Sequence, residues 1–322
     1  MNSAPTTLCA CAKQVKTKAV YSKAYKAAVA IPPIVWVTTF LLVPYAILFC
    51  YSFWSVSSIQ TIVHNWNLQN YLELARNSLY RDVLFRSMRI AAAVTCFALL
   101  LGYPLAYYLS FHATKRKELL YQLVIIPLWA SYLVRGYAWK TILGTDGVLN
   151  GVLRFTHATN LLLAIQNSVN LHLAAGHQIT LVPLPLLLYS PFAVVLVLTH
   201  IYTPFVILPI YASLEHIPRN LVEASRDLGS SPWSTFRRVI LPLSLPGVIA
   251  GATFAFVLTL GDFLAPLLVG GSSGIMISNI VVGLFGAAYN WPLGAAIALF
   301  MMVIVMALLF TTERLEKRLN VS

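Results

Sequence analysis

Charged residues are scarce in this sequence, and acidic residues are scarcer than basic ones. Only 10% of the 322 residues are charged and 59% are hydrophobic, whereas a soluble domain carries roughly 25% charged residues. This deficit excludes an ordinary soluble domain and predicts a polytopic membrane protein. The net charge of +12 would suit nucleic acid only if the basic residues formed one soluble face. They are scattered between apolar segments instead, so we expect no nucleic-acid partner.

Motifs for nucleotides, disulfides and metals are also missing. The sequence has no glycine-rich phosphate loop of the GxxxxGK type and no soluble segment large enough to bind a nucleotide. Its four cysteines are too dispersed for a disulfide framework: Cys9, Cys11, Cys50 and Cys96. We therefore predict no catalytic site, no metal site and no cofactor in this chain. If ATP and Mg²⁺ drive its function, separate ATPase subunits must bind them.

Long apolar runs are what the sequence has in abundance. A helix needs about 20 apolar residues to cross a bilayer core, and a helix satisfies its own backbone polar groups in lipid. We therefore predict an all-α, polytopic membrane protein with six transmembrane helices. The predicted spans are residues 29–54, 88–111, 119–143, 188–213, 239–262 and 293–312.

The distribution of Lys and Arg predicts the orientation of these spans, because cytoplasmic loops carry an excess of both. The basic residues concentrate in four regions, namely 1–28, 112–118, 214–238 and 313–322. We therefore place both terminal tails and the 214–238 loop in the cytoplasm, and the loop at 263–292, which has neither residue type, outside. The loop at 55–87 contains three arginines, but we place it outside because every other loop requires it.

The third loop is apolar enough to suggest a seventh span between Asn160 and Leu188. Polar residues interrupt it at every turn, and a seventh span would place the basic 214–238 loop outside. We predict a re-entrant or interfacial segment here. The loop also holds three histidines whose spacing is a weak basis for a metal site: His157, His172 and His177.

The internal loop at 214–238 has its own helix signals. Pro218 suits a first helical position, and small or apolar residues then recur at helical spacing opposite a charged face. Gly229 suits a C-terminal cap with positive φ, and Ser231 followed by Pro232 suits the start of a second helix. A short amphipathic helix is marginal in water on its own. We therefore expect it to dock into a groove on a partner protein.

This stretch resembles the EAA loop of permease subunits of ABC importers. The family pattern is Glu-Ala-Ala, three residues, Gly, nine residues, Ile, one residue and Leu-Pro, and this chain departs from it at Ser225 and Val239. The resemblance implies a type I (MetI-like) permease fold in which this loop is a coupling helix seated in the ATPase, with its bend at Gly229. The implied coupling residues are Leu221, Glu223, Ala224, Ser225, Asp227, Gly229, Val239, Leu241 and Pro242.

The resemblance covers nearly the whole chain from about residue 30, through segments such as LGYPLAYYLS (101–110) and GDFLAPLLVGG (261–271). These segments are most similar to the first permease subunit of the spermidine/putrescine branch. That branch implies a polyamine cargo, a bacterial inner-membrane location, a homodimeric ABC ATPase, a second related permease and a periplasmic binding protein. The long basic N-terminal tail and the extended third loop depart from the branch.

A path for a polyamine needs carboxylates and aromatic faces, since each cation–π contact contributes roughly 0.5 to 2 kcal/mol. Asp262 lies at the end of a predicted span, and an ionisable group at membrane depth indicates a function by default. It serves either this path or an ion pair with Arg135, whose own charge repels a polycation. The aromatic candidates for the path, which equally suit an interfacial belt, are Tyr132, Tyr137, Trp139 and Tyr202.

The residues leave other interpretations open. Within the same importer class, the cargo could be iron, thiamine or an oxyanion. An ion-coupled secondary transporter predicts an inverted repeat, which the sequence does not show, and an intramembrane aspartyl protease needs a second membrane aspartate. Two readings also remain for the fifth span, which could bend or pack closely at Pro242, Pro246, Gly247 and Gly251.

Overall fold

The computed structural model describes residues 23–57, 61–113, 116–156 and 187–321. A two-stranded antiparallel hairpin pairs Ser55–Val56 with Ile62–Val63, and short π-helical turns occupy Thr38–Leu42, Phe236–Ile240 and Pro266–Gly270. In chain order, the helices are α1 (Lys23–Val37), α2 (Val43–Ser52), α3 (Gln69–Arg76), α4 (Ser78–Phe111), α5 (Lys117–Trp129), α6 (Tyr132–Leu143), α7 (Val148–Phe155), α8 (Pro191–Glu215), α9 (Arg219–Asp227), α10 (Pro232–Thr235), α11 (Leu241–Gly261), α12 (Ile277–Phe285) and α13 (Trp291–Val321).

Five helical runs in the described part of the chain are long and apolar enough to cross a membrane. They match five of the six predicted spans in position. The runs are Val29–Ser52, Ser78–Phe111, Pro191–Glu215, Pro232–Gly261 and Trp291–Leu315. The prediction of an all-α, polytopic membrane fold is therefore confirmed, with one small hairpin added.

The third span differs from its prediction as one helix over 119–143. The chain there forms α5 and α6, which are bent by 94° at a short break. Ala130 (ψ 138°) and Ser131 (ψ 137°) have extended backbone, which ends the hydrogen-bond ladder of α5. Pro127, in the last turn of α5, has no N–H to contribute to that ladder. A broken pair of helices therefore replaces the predicted continuous helix.

Two helices, α4 and α13, extend furthest beyond the predicted span ends. α4 begins at Ser78 instead of residue 88, because the side chain of Asn77 accepts a hydrogen bond from Leu79 N at 3.0 Å and caps the helix. α13 continues through residues 313–321, which the sequence analysis assigned to a tail. An ion pair between Lys317 and Glu313, 2.6 Å apart and one turn from each other, supports this extension.

The centre of the fold is α8, which packs between α4 and α11. Two glycines of α11 allow its backbone to approach α8 closely. A Cβ atom on Gly247 would lie 2.5 Å from the Pro209 carbonyl oxygen, and one on Gly251 would lie 3.0 Å from the Val206 carbonyl oxygen. These glycines are therefore packing positions, as small residues are between membrane helices.

Two predictions fall outside the described residues. The first is the character of the N-terminal tail over residues 1–22. The second is the re-entrant segment of the third loop, predicted between Asn160 and Leu188, of which the structure describes only the last two residues. The three loop histidines also lie outside the described residues.

Candidate coupling and transport sites

The predicted coupling loop begins with α9. Pro218 precedes this helix in an extended conformation (φ −62°, ψ 126°), so α9 begins one residue later than the sequence indicated. Gly229 has a φ of 77°, and Ser230 N–H donates to the Ser225 carbonyl oxygen at 3.1 Å, closing the end of the helix. Gly229 therefore makes the expected bend, in a conformation that residues with a Cβ rarely adopt.

Beyond this bend, a second helical run leads directly to the membrane. Ser231 Oγ accepts a hydrogen bond from Ser234 N at 3.3 Å, and Pro232 takes the first helical position of α10. The π-helical turn Phe236–Ile240 then joins α10 to α11, so that Pro232–Gly261 is one helical run. Continuous helix therefore joins the loop to the fifth span.

Residues of the coupling loop differ in what covers them. Part of α9 packs on its own chain, because Val222 is only 7% exposed and Ser225 Oγ lies 3.0 Å from Thr235 Oγ1. Just after α9, Leu228 is 87% exposed, and Trp233 in α10 is 69% exposed. Large apolar groups that lie uncovered among charged ones make this region a candidate interaction site. We call this region the coupling surface; its exposed members are Leu221, Glu223, Ala224, Asp227, Leu228 and Trp233.

Three other predicted coupling residues lie away from this surface. Val239 is in the π-helical turn, and Leu241 and Pro242 begin α11. Val239 and Leu241 are half-buried, whereas Pro242 is exposed. Their position joins the coupling surface to the membrane helix.

A second site lies at the far end of α11, around Asp262. Its Oδ1 accepts hydrogen bonds from the backbone N–H groups of Leu264 (2.9 Å) and Ala265 (3.1 Å). Its Oδ2 accepts hydrogen bonds from the hydroxyl groups of Tyr202 (2.6 Å) and Tyr132. The carboxylate is buried, with Asp262 only 7% exposed. We call Asp262, Tyr132 and Tyr202 the aspartate junction, because they tie together α6, α8 and the end of α11.

The aspartate junction lines a cavity of about 400 Å³ whose other walls are Val257, Leu258, Gly261, Phe263 and Leu264. Two further residues predicted for the path lie elsewhere. Tyr137 is exposed, and the indole N–H of Trp139 donates to His200 Nδ1 at 3.1 Å in a separate cavity of about 420 Å³. The structure therefore brings together Asp262, Tyr132 and Tyr202 but not Tyr137 or Trp139.

Arg135 also belongs to the predicted path, and it forms no ion pair with Asp262. The ion pairs among the described residues are Lys117–Glu215 and Lys317–Glu313. The Asp262 carboxylate already accepts four hydrogen bonds, which is its full capacity. The guanidinium carbon of Arg135 lies 5.8 Å from the centre of the Tyr132 ring, while its buried Nε and Nη1 have no hydrogen-bond partner among the described residues. Of the two alternatives for Asp262, the ion pair with Arg135 is therefore not formed in this structure.

The sequence matches the family described as binding-protein-dependent transport system inner membrane component, over residues 71–321. The chain belongs to this family. It is 38% identical over 235 residues to the inner membrane ABC transporter permease protein YdcU of Escherichia coli K12, covering 73% of this chain and 71% of YdcU. It is 31% identical over 285 residues to the spermidine/putrescine transport system permease protein PotB of Haemophilus influenzae, covering 88% of this chain and 92% of PotB.

A solved structure supports the same fold. A chain in the crystal structure of a bacterial alginate ABC transporter, in complex with an alginate pentasaccharide-bound periplasmic protein, matches with a TM-score of 0.67 and 16% identity over 95% of this chain and 96% of that one. This protein is thus a multi-pass permease subunit of a type I ABC importer, from a family of the bacterial inner membrane. Proteins of this family are transport components and not enzymes.

Sequence analysis missed several polar residues of the permease. His200 lies within the span Pro191–Glu215, and an ionisable residue inside an apolar run was a signal that could have found it. Two residues at the start of α12 also hold the chain that follows Asp262. Ser278 Oγ donates to the Asp262 carbonyl oxygen, and Asn279 Nδ2 donates to the Phe263 carbonyl oxygen at 2.7 Å. No pattern in the sequence indicated these two contacts.

Proposed function

We propose that this permease carries a polyamine, such as spermidine or putrescine, from a periplasmic binding protein to the cytoplasm by ATP-driven alternating access. In this proposal both termini and the coupling surface face the cytoplasm. A homodimeric ABC ATPase binds the coupling surface and holds ATP and Mg²⁺. A second, related permease completes the path through the membrane.

The observation that carries this proposal is the uncovered apolar part of the coupling surface. Leu228 and Trp233 are among the large apolar side chains that remain exposed, and Glu223 and Asp227 beside them are exposed as well. If the loop faces the cytoplasm, lipid does not cover these apolar side chains. A protein partner that covers them therefore explains the composition of the loop best. Closure of the ATPase dimer would move α9 and, through the continuous Pro232–Gly261 run, the far end of α11.

Similarity to PotB over 88% of this chain favours a polyamine as the cargo. The chemistry of the cavity at the aspartate junction agrees with that choice. Tyr132 and Tyr202 present aromatic rings beside a buried carboxylate, and ammonium groups are attracted to both. Because the hydrogen bonds of Asp262 are already made, the carboxylate contributes its charge to a passing cation without holding it tightly. A weak passage suits rapid transit when the binding protein supplies the affinity.

One observation favours a second candidate cargo. Within the described part of the chain, no group accepts a hydrogen bond from the buried Nε and Nη1 of Arg135, and burying such donors unpaired is costly. An oxyanion in the path would satisfy them, whereas a polycation would be repelled. We therefore keep an oxyanion as the alternative cargo for the same permease.

The test is uptake into proteoliposomes that contain the permease with its co-purified partners and the binding protein. Radiolabelled spermidine and putrescine are compared with sulfate and molybdate, with and without ATP. The variants are Glu223→Ala and Gly229→Pro, and the control is Glu313→Gln, which removes an exposed ion pair on α13. We expect polyamine uptake to require ATP. Uptake should fall roughly tenfold in the first two variants, a factor that corresponds to a coupling free energy of typical size.

The other outcomes separate an error in the cargo from an error in the coupling mechanism. If neither polyamine enters but the binding protein still stimulates ATP hydrolysis, the cargo is wrong and the importer mechanism stands. Uptake of an oxyanion in that case would establish the second candidate. Polyamine uptake that continues without any ATPase would contradict the role of the coupling surface.

A further inference from the structure

A polar network connects four helix ends near the coupling loop, outside both sites described above. Lys117 Nζ lies 2.8 Å from Glu215 Oε2, and Ser110 Oγ donates to Glu215 Oε1 at 3.0 Å. Arg219 Nη2 donates to the Ser110 carbonyl oxygen at 3.2 Å. We call these four residues the clasp.

Each member of the clasp comes from a different helix. Ser110 is in the last turn of α4, Lys117 begins α5, Glu215 ends α8 and Arg219 begins the coupling helix α9. The Arg219 cation lies at the carboxyl end of α4, where the helix dipole favours positive charge. The clasp therefore links the coupling helix directly to α4 and, through Ser110 and Glu215, to α8 and α5.

The chain just beyond the far end of α5 also forms a polar contact. α5 begins at Lys117 in the clasp, and after the 94° bend α6 begins at Tyr132. The Tyr132 hydroxyl donates a hydrogen bond to Asp262, the residue that follows α11. The broken pair thus connects the clasp with the aspartate junction.

Two routes therefore run from the coupling helix to the same carboxylate. One passes along Pro232–Gly261 to Asp262 itself, and the other passes through the clasp and α5 to Tyr132. We propose that the clasp is the second transmission element of this importer. In this mechanism, which rests on the proposed function, movement of α9 displaces α5 through Lys117 and Glu215. The two routes together change the separation of Tyr132 and Asp262, and thereby open or close the cavity between them.

The exposure of the clasp argues for transmission and against a role in stability. The side chains of Lys117 and Glu215 are 30% and 33% exposed, and ion pairs this exposed contribute little to folding. Lys117 and Glu215 are 98 residues apart in the chain and join the ends of two long helices. An ion pair in this place has a large effect on relative movement and a small effect on stability.

The experiment measures movement directly and needs no cargo. The permease, assembled with its ATPase and partner permease in nanodiscs, carries spin labels at Tyr137→Cys on α6 and Phe263→Cys beside the cavity, with the native cysteines replaced. Both positions are exposed. Distance distributions are recorded by pulsed electron paramagnetic resonance without nucleotide and with ATP plus vanadate. The same preparations are assayed for ATP hydrolysis and apparent Tm.

Lys117→Met and Glu215→Gln break the clasp, and the exchange Lys117→Glu with Glu215→Lys restores the ion pair in reverse. Glu313→Gln is the matched control, because it breaks an ion pair within α13 that joins no two helices. We expect a nucleotide-dependent distance shift in the wild type, the control and the exchange variant. The shift should be lost in both single variants, while their apparent Tm and basal ATP hydrolysis stay at the wild-type level.

The proposal is overturned if the single variants shift as the wild type does. It is also overturned if they lose the shift only together with a matching fall in apparent Tm, since that result describes a structural role. A wild type that shows no shift at all would contradict both the proposed function and the clasp. A wrong cargo leaves this measurement unchanged, so the two failures can be told apart.

Discussion

The two ends of the Pro232–Gly261 helix differ in whether their side chains are covered by the protein's own chain. At one end, the buried carboxylate of Asp262 has four donors, all from its own chain. At the other end, Leu228 and Trp233 remain uncovered beside exposed charged residues. A saturated polar cluster holds one arrangement of its own chain, whereas an uncovered apolar surface needs a second chain to complete it. The same helix therefore joins the aspartate junction, which is held within the chain, to the coupling surface, which is open for docking.

The largest loss of stability is expected in the helix that connects these two ends. In Gly247→Val, the new side chain would begin 2.5 Å from the Pro209 carbonyl oxygen and from Ser213 Cβ. Overpacking against backbone costs about 3 kcal/mol, so we expect a clear fall in apparent Tm in detergent. The matched control is Gly283→Ala, where the added Cβ meets nothing within 4 Å. Equal apparent Tm values for the two variants would contradict the close packing of α8 and α11.

The next largest effect is expected at the aspartate junction. Asp262→Ala leaves two tyrosine hydroxyls and two backbone N–H groups without their acceptor. At about 0.6 kcal/mol for each of the two tyrosine hydrogen bonds between membrane helices and at least about 0.5 kcal/mol for each of the two local backbone bonds, the loss should total about 2 kcal/mol. Asp262→Asn, which keeps an acceptor oxygen, should retain more of the apparent Tm. If both variants are as stable as the wild type, the junction is not an internal fastening.

A smaller effect is expected at the cap of α10. Ser231→Ala removes the hydroxyl that accepts a hydrogen bond from Ser234 N, which costs about 1 kcal/mol at a helix N-cap. Ser231→Gly should cost only a few tenths of that free energy, because glycine is well tolerated as an N-cap. Hydrogen exchange of the amides in α10 measures this order. The reverse order would show that the Ser231 side chain does not cap the helix.

The smallest effect on stability is expected on the coupling surface. Leu228→Glu changes a side chain that is 87% exposed, and substitutions at such positions usually alter stability by less than about 0.5 kcal/mol. Retention of the ATPase during purification should nevertheless fall, because a charge then replaces an apolar contact. An unchanged ATPase yield, or a lower apparent Tm of the permease alone, would contradict the comparison between the two ends.

Local chemistry explains why the coupling loop could be predicted so closely. The bend at Gly229, the cap at Ser231 and the helix start at Pro232 all depend on neighbours within a few residues in the chain. Five of the six spans were equally predictable in position, because lipid demands long apolar helices. The start of α9 was displaced by only one residue.

Long-range contacts explain what could not be predicted. The hydrogen bonds that Asp262 accepts from Tyr132 and Tyr202 join residues 130 and 60 positions apart. The sequence indicated the opposite charges of Asp262 and Arg135. It did not indicate that the two tyrosine hydroxyl groups donate hydrogen bonds to the carboxylate. Pro127 was a local signal for the break after Trp129, but Ala130 and Ser131 are compatible with helix, so the sequence did not indicate the size of the bend. Such features depend on which helices meet, and periodicity does not contain that information.

The most direct test of the central claim is the accessibility of residue 228 to a membrane-impermeant maleimide. A Leu228→Cys variant, with the native cysteines replaced, is labelled in inside-out vesicles with and without the ATPase, and Phe263→Cys serves as the comparison at the other end of the helix. We expect rapid labelling of position 228 in the permease alone and strong protection once the ATPase is bound, with position 263 unaffected by the ATPase. Labelling of position 228 that the ATPase does not change would contradict the claim that the coupling surface is its docking site.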